Sequence, residues 1–219
     1  ILHSLVALAW ARLGWQVGVM SLLAVHALFV WGTLRPQSAL FGPVLVRLPT
    51  RERVAWLTID DGPSDDTTAM LDLLDARGAK ATFFVVAERA AERPELVREI
   101  VRRGHGIGNH SLSHPSAWFW ALTGVAPRWF RAVVGMANPN VARPQKRMGL
   151  ARVARRARGY DALERDPVKV AARIEHDLVP GAIVLMHEGA GHGRSVEALQ
   201  AVLQRMAALG FRAVLPEDL

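Results

Sequence analysis

The chain has 219 residues, enough for one domain with a full hydrophobic core plus an appendage. It contains no cysteine, which excludes disulfides and thiolate metal sites and leaves histidine and carboxylate as donors for any cation. The net charge of +7 is carried almost wholly by arginine, with lysine only at Lys80, Lys146 and Lys169; such a balance suits an anionic polymer or lipid, and coding bias toward Ala and Arg accounts for it equally well.

Residues 1–34 are the most apolar part of the chain. Gln16–Leu34 has no formally charged residue, His26 is its one ionisable group, and Trp15 and Trp31 sit near its ends. It therefore reads as a membrane-spanning helix. No small-x-small site follows the apolar core, which argues against a cleaved signal peptide. Ile1–Trp10 is too short to span alone, and with no initial Met it reads as the remainder of a preceding helix or an interfacial piece. Arg35, Arg47, Arg51 and Arg53 pull the following flank toward the cytoplasm. Residues 35–52, with Pro36, Gly42, Pro43 and Pro49, are expected to be a linker, and residues 53–219 one domain.

Within that domain Val54–Leu57 opens a buried strand that ends in Asp60-Asp61-Gly62-Pro63. Side chains alternate along a strand, so these aspartates should leave in different directions, one to hold a metal and one to take a proton. Thr67–Arg77 predicts a helix stopped by Gly78, Ala81–Val86 a strand, and Pro94–Arg103 a helix stopped by Gly104. Gly106–Asn109 then leads into His110-Ser111-Leu112-Ser113-His114, where the spacing places both imidazoles on one face of a helical turn, close enough to share a cation. Beyond lie Trp129–Arg131, a basic stretch Arg143–Arg158, a helix near Val168–Leu178 and a strand Ala182–Met186 running into His187. A helix Ser195–Leu209 and a strand Phe211–Leu215 close the chain. The alternation predicts an α/β domain with a parallel sheet and active residues just after strand ends. The chain has no phosphate-binding loop or nucleotide fingerprint, and no nucleic-acid partner is expected.

Thr58–Pro63, His110–His114 and Leu185-Met186-His187 together resemble the motifs Thr-Phe-Asp-Asp-Gly-Pro, His-Ser/Thr-x-x-His and Leu-x-His of the polysaccharide deacetylases, carbohydrate esterase family four, with Ile59 in place of Phe. The resemblance runs from about Arg53 to the C-terminus. It implies an irregular, incomplete (β/α) barrel, here preceded by the N-terminal hydrophobic helix. It also implies a divalent cation, zinc, on Asp61, His110 and His114, with Asp60 as general base and His187 as general acid. Leu185 would wall the acetyl pocket, with Tyr160 beside the substrate. Phe130-Arg131-Ala132-Val133 resembles the motif whose Arg orients the base, and Arg158-Gly159-Tyr160-Asp161 the motif whose Asp tunes the acid. The reaction implied is removal of N-acetyl groups from an N-acetylglucosamine-containing glycan, chitin-like or peptidoglycan. The partners are then that N-acetylated glycan and, through the helix, membrane lipid. A cell-envelope substrate pulls the domain to the outer side of a bacterial inner membrane, opposite to the arginine flank.

The chain departs from the family pattern at Val133, where Pro is usual, and at Arg155 or Arg156, where Trp is usual. Pro115–Pro127 leaves no room for a family helix, so one side of the barrel would need another cover: Trp118-Phe119-Trp120, the N-terminal helix or a second chain. Two rival functions follow, a degenerate relative that binds metal and glycan without turnover, and a membrane interaction protein using Arg143–Arg158 on anionic lipid.

Overall fold

The computed structural model describes residues 2–110 and 123–219. Two apolar helices, α1 (Leu2–Leu13) and α2 (Trp15–Leu34), precede the domain. They pack as a hairpin in which the Trp10 ring occupies the space that a side chain at Gly18 would need. Helix α2 is long and apolar enough to cross a membrane, with a mean hydropathy of 1.9.

The domain is a parallel sheet carrying helices on its outer face. In chain order the strands are β1 (Val54–Gly62), β2 (Ala81–Val85), β3 (Gly106–Asn109), β4 (Trp129–Phe130), β5 (Ala151–Arg152), β6 (Ala157–Arg158), β7 (Ala182–His187) and β8 (Arg212–Ala213). Their spatial order is β5-β4-β3-β2-β1-β7-β6, with β8 paired to the start of β1. Helices α3 (Thr67–Ala76), α4 (Ala87–Glu92), α5 (Pro94–Arg102), α6 (Pro139–Arg147), α7 (Pro167–Asp177) and α8 (Ser195–Ala208) lie between them. Strands β5 and β6 end the order on opposite sides, so the sheet curls into an incomplete (β/α) barrel, as expected.

Strand parity decides what faces the interior. Ala55, Leu57 and Ile59 of β1 point outward and pack with Phe83, Val184 and Met186 against Met70, Leu74, Ile100, Ile174, Leu199 and Val202 of the helices. Trp56 points the other way, into a second cluster with Phe84, Ile183, Val153 and Leu48. Thr58 and Asp60 share the parity of Trp56, and Leu185 and His187 share that of Ile183. One alternation thus builds the core and carries the polar groups up the inner wall to the strand ends.

Residues 35–52, read from sequence as a linker, lie against this wall. Leu45 bridges Val153, Arg47 bridges Ala182, and Leu48 is buried in the inner cluster. The buried Arg152 guanidinium donates to the Ser38 and Gly42 carbonyls at 2.6 and 3.1 Å. This segment therefore covers the inner wall beside β5 and β7. The sequence expectations for Pro115–Pro127 and for Trp118-Phe119-Trp120 fall largely or wholly outside the described residues.

His105, between α5 and β3, has a fully buried side chain. Its Nδ1 accepts the Ala81 N–H at 3.3 Å, so the folded chain needs that nitrogen unprotonated. Burial, with Lys80 contributing, lowers its pKa from 6.5 to about 4. The neutral ring is favoured in the fold, so its contribution is complete above pH 6.5 and is lost as the pH falls towards 4. At 1.36 kcal/mol per pH unit this amounts to at most about 3 kcal/mol. Denaturant unfolding of His105→Gln should lose less stability than the parent over that interval. An equal loss in both proteins would remove His105 as the cause.

Candidate active site

The inner wall opens at the strand ends into a cavity of about 290 Å³ lined by Asp60, Asp61, His110, Arg131, Leu185 and His187, among others. Asp60 and Asp61 do not simply diverge as strand alternation predicted. Pairing to β2 runs Asp60 with Phe84 and then Gly62 with Val85, so Asp61 is an extra, bulged residue. Its φ of 69° lies in the left-handed region, which Asp tolerates better than most residues. The bulge turns both carboxylates toward one imidazole. Nε2 of His110 lies 3.8 Å from Asp60 Oδ2 and 3.4 Å from Asp61 Oδ1.

His110 is oriented from behind, with Nδ1 3.0 Å from the Arg131 carbonyl oxygen. That contact makes Nδ1 the donor and leaves Nε2 facing the aspartates. The hydrogen bond to His110 holds Asp61 below the ordinary carboxylate range, although burial opposes the shift. Burial works against a charged His110, and the charges of Asp60 and Asp61 outweigh it and raise its pKa.

Arg131 lies inside the barrel beside Asp60. Its Nη1 donates to Asp60 Oδ1 and to Thr58 Oγ1, both at 2.7 Å, and its Nη2 to the Ala154 carbonyl at 3.2 Å. The guanidinium also lies 4.3 Å from the Phe84 ring centroid. Val133, where the family has Pro, begins a short exposed turn in which Val134 takes a φ of 50°. The substitution leaves Arg131 in place against Asp60.

On the opposite wall Asp161 holds His187 twice. Asp161 Oδ2 accepts the His187 backbone N–H at 2.6 Å, and Oδ1 lies 3.1 Å from Nδ1. Burial disfavours the charged ring, but Asp161, with Asp60 and Asp61 behind it, raises the His187 pKa above its ordinary value. Leu185 and Tyr160 both line the cavity. Arg155 and Arg158 line it too, whereas Arg156 is exposed outside it. The basic stretch Arg143–Arg158 is thus divided among helix α6, the buried Arg152 and this rim, rather than forming one patch.

Glu188 was passed over in the sequence although it follows His187 directly. Its carboxylate accepts from Ser64 N at 3.1 Å and Ser64 Oγ at 2.8 Å, and from the Thr67 hydroxyl. A Cβ at Gly62 would lie 1.9 Å from Glu188 Oε1, so this carboxylate fits only beneath a glycine. It ties the turn after Asp61 to the end of β7, and burial raises its pKa.

Among the described residues no group of three or more histidines and carboxylates converges on one point. His114 lies outside them, so the third expected ligand is not part of this geometry. The two donors that are described suit a divalent cation: a carboxylate and an imidazole face each other, and the far nitrogen of that imidazole is held by a carbonyl.

Residues 47–122 match the polysaccharide deacetylase family model. A chitooligosaccharide deacetylase from Bradyrhizobium sp. (strain ANU 289) is 31% identical over 180 residues, covering 73% of this chain and 82% of that one. A peptidoglycan-N-acetylglucosamine deacetylase of Listeria monocytogenes is 29% identical over 195 residues; the match covers 81% of this chain and 41% of that longer protein. Among solved structures, a peptidoglycan N-acetylglucosamine deacetylase superposes with a TM-score of 0.73 at 27% identity, covering 80% of this chain and 91% of the other. The chain belongs to the polysaccharide deacetylase family, carbohydrate esterase family four. By class it is a hydrolase of carbon–nitrogen bonds other than peptide bonds, a polysaccharide N-deacetylase.

The Asp161 contacts make one expectation specific. In Asp161→Asn the charge that does most to offset burial of His187 is gone, so the His187 pKa should fall. NMR titration of the ring measures it, and an unchanged value would show that Asp161 does not set it.

Proposed function

We propose that this chain removes the N-acetyl group from N-acetylglucosamine in a glycan, using a divalent cation, and that α2 anchors it in the membrane. The observation that carries this reading is a single cavity with Asp60, Asp61 and His110 on one wall and His187 on the other, in which Asp60, His110 and His187 are each held from behind by a protein group. The relatives' activities on chitooligosaccharide and peptidoglycan N-acetylglucosamine point to the same substrate class.

Asp61 and His110, with His114 from the same motif, would hold the cation. Their oxygen and nitrogen donors suit zinc. When bound, the cation polarises the acetamide carbonyl and lowers the pKa of water. The protein's own groups then move the protons. Asp60 accepts one from the attacking water as its oxygen bonds to the acetyl carbon. Arg131 donates to Asp60 at 2.7 Å and holds its carboxylate in position. The pairing of His187 Nδ1 with Asp161 turns Nε2 toward the cavity, where it protonates the departing nitrogen as the C–N bond breaks. Acetate and a free amino sugar result. Leu185 offers an apolar wall for the acetyl methyl, and Tyr160 borders the sugar.

With the helix in a bacterial inner membrane, a wall-glycan substrate places the domain on the envelope side. Two variants test the reading together. His110→Ala should lose bound metal, followed by elemental analysis. Asp60→Asn should keep the metal and lose about 10²–10⁴-fold in acetate release from chitooligosaccharide or peptidoglycan. An active Asp60→Asn protein, or full metal content in His110→Ala, would overturn the assignment.

A further inference from the structure

A cavity of about 630 Å³ adjoins the catalytic one and shares Arg155, Arg158 and Tyr160 with it. Its outer wall adds Arg35, Arg156 and Arg173. Arg173 is neutralised locally, by Glu164 at 3.0 Å. Among the described residues no carboxylate lies within 4.0 Å of Arg35, Arg155, Arg156 or Arg158. Asp177, the one carboxylate among the described lining residues, is 3.2 Å from His176. Arg158 lies 3.8 Å from the Tyr160 ring centroid, and its Nε is buried without a hydrogen-bond partner among the described residues. Burial, then the charges of Arg158 and Arg131, make a charged Arg155 less favourable than usual. Gathering like charges in a partly enclosed space is costly, and an anion placed among them offsets that cost. Planar guanidinium forks match the oxygens of phosphate particularly well.

The place of this cavity narrows the ligand further. Its rim is formed by residues 35–37, directly after α2. The Gln37 amide donates to the Arg155 carbonyl at 2.9 Å, and the Ala137 N–H to the Thr33 carbonyl at 3.4 Å. Pro36 packs so closely on Gly135 that a Cβ there would meet it at 2.8 Å. The end of the apolar helix is therefore fastened to the walls of both cavities.

We propose that the arginine cavity holds a phosphate or diphosphate joined to the N-acetylated sugar in the catalytic cleft, so that the preferred substrate is a phosphorylated saccharide. This rests on the deacetylase reading above. The recognition chemistry is the same for a soluble sugar phosphate and for a lipid-linked one, and the helix end at the rim favours the lipid.

The test uses the full chain with its metal, in vesicles, and three substrates: polyprenyl diphosphate-linked N-acetylglucosamine, soluble N-acetylglucosamine 1-phosphate, and the neutral N-acetylglucosamine trisaccharide. The kcat/KM for a phosphorylated sugar should exceed that for the trisaccharide at least about 10-fold, and added salt should reduce the preference. A gain confined to the lipid-linked compound identifies a headgroup, and equal use of the soluble phosphate identifies the phosphate alone; either supports the cavity. In Arg35→Gln/Arg156→Gln the ratio of phosphorylated to neutral kcat/KM should fall about 10-fold, with Arg35→Lys/Arg156→Lys restoring most of it. No preference in the parent, or a ratio unmoved by the Gln pair, overturns the proposal. If no substrate is deacetylated, the deacetylase reading fails. Calorimetric binding of N-acetylglucosamine 1-phosphate then decides the cavity by itself: binding weakened in the Gln pair upholds it, and absence of binding overturns it.

Discussion

The rest of the site depends on one buried ion pair, Arg131 with Asp60. Taking both charges out of water costs several kcal/mol per ion, and mutual attraction repays it only when the remaining donors and acceptors are also satisfied. Here Thr58 and the Ala154 carbonyl take further guanidinium hydrogens, and the Phe84 face covers the plane. Those partners come from β1, β2 and the segment after β5, so the pair braces the two sides of an open barrel across its interior. The same arginine supplies the carbonyl that orients His110. One residue thus aims both a carboxylate through its side chain and an imidazole through its backbone.

The opposite wall follows a similar plan with less charge. Asp161 binds both the backbone and the ring of His187, so ring orientation and proton affinity have a common cause. Glu188, one residue on, faces the outer side and locks the turn after Asp61. Consecutive residues at the end of β7 therefore serve different layers: His187 lines the cleft, and Glu188 supports the turn that follows Asp60 and Asp61.

Much of this was legible in the chain. The apolar runs and their Gly and Pro boundaries located the strands and helices, because buried parallel strands and amphipathic helices leave strong local patterns. Asp60, Asp61, His110 and His187 stood out only because the three stretches that hold them, taken together and in order, resemble the motifs of a known family; each alone reads as a polar turn or an incidental histidine. Arg131 and Asp161 could be named from weakened motifs; neither Val133 nor the Arg155-Arg156 pair prevents the contacts each one makes. The bulge at Asp61 was not legible, since adjacent aspartates look the same in a regular and a bulged strand. Nor was the docking of residues 35–48. Its Pro and Gly residues mark irregular backbone, and only tertiary contacts with Arg152, Val153 and Ala182 show where that backbone lies.

The left-handed backbone at Asp61 also limits how this site can change by descent. Most L-residues would pay about 1–2 kcal/mol to occupy that conformation, whereas Asn and Gly enter it readily. Position 61 therefore has few easy exits, and the easiest, Asp to Asn, is a single-nucleotide change that leaves the backbone undisturbed while removing the negative charge. On the proposed assignment of Asp61 as a cation donor, a lineage could silence the chemistry there without losing its shape, and could recover it by the reverse step.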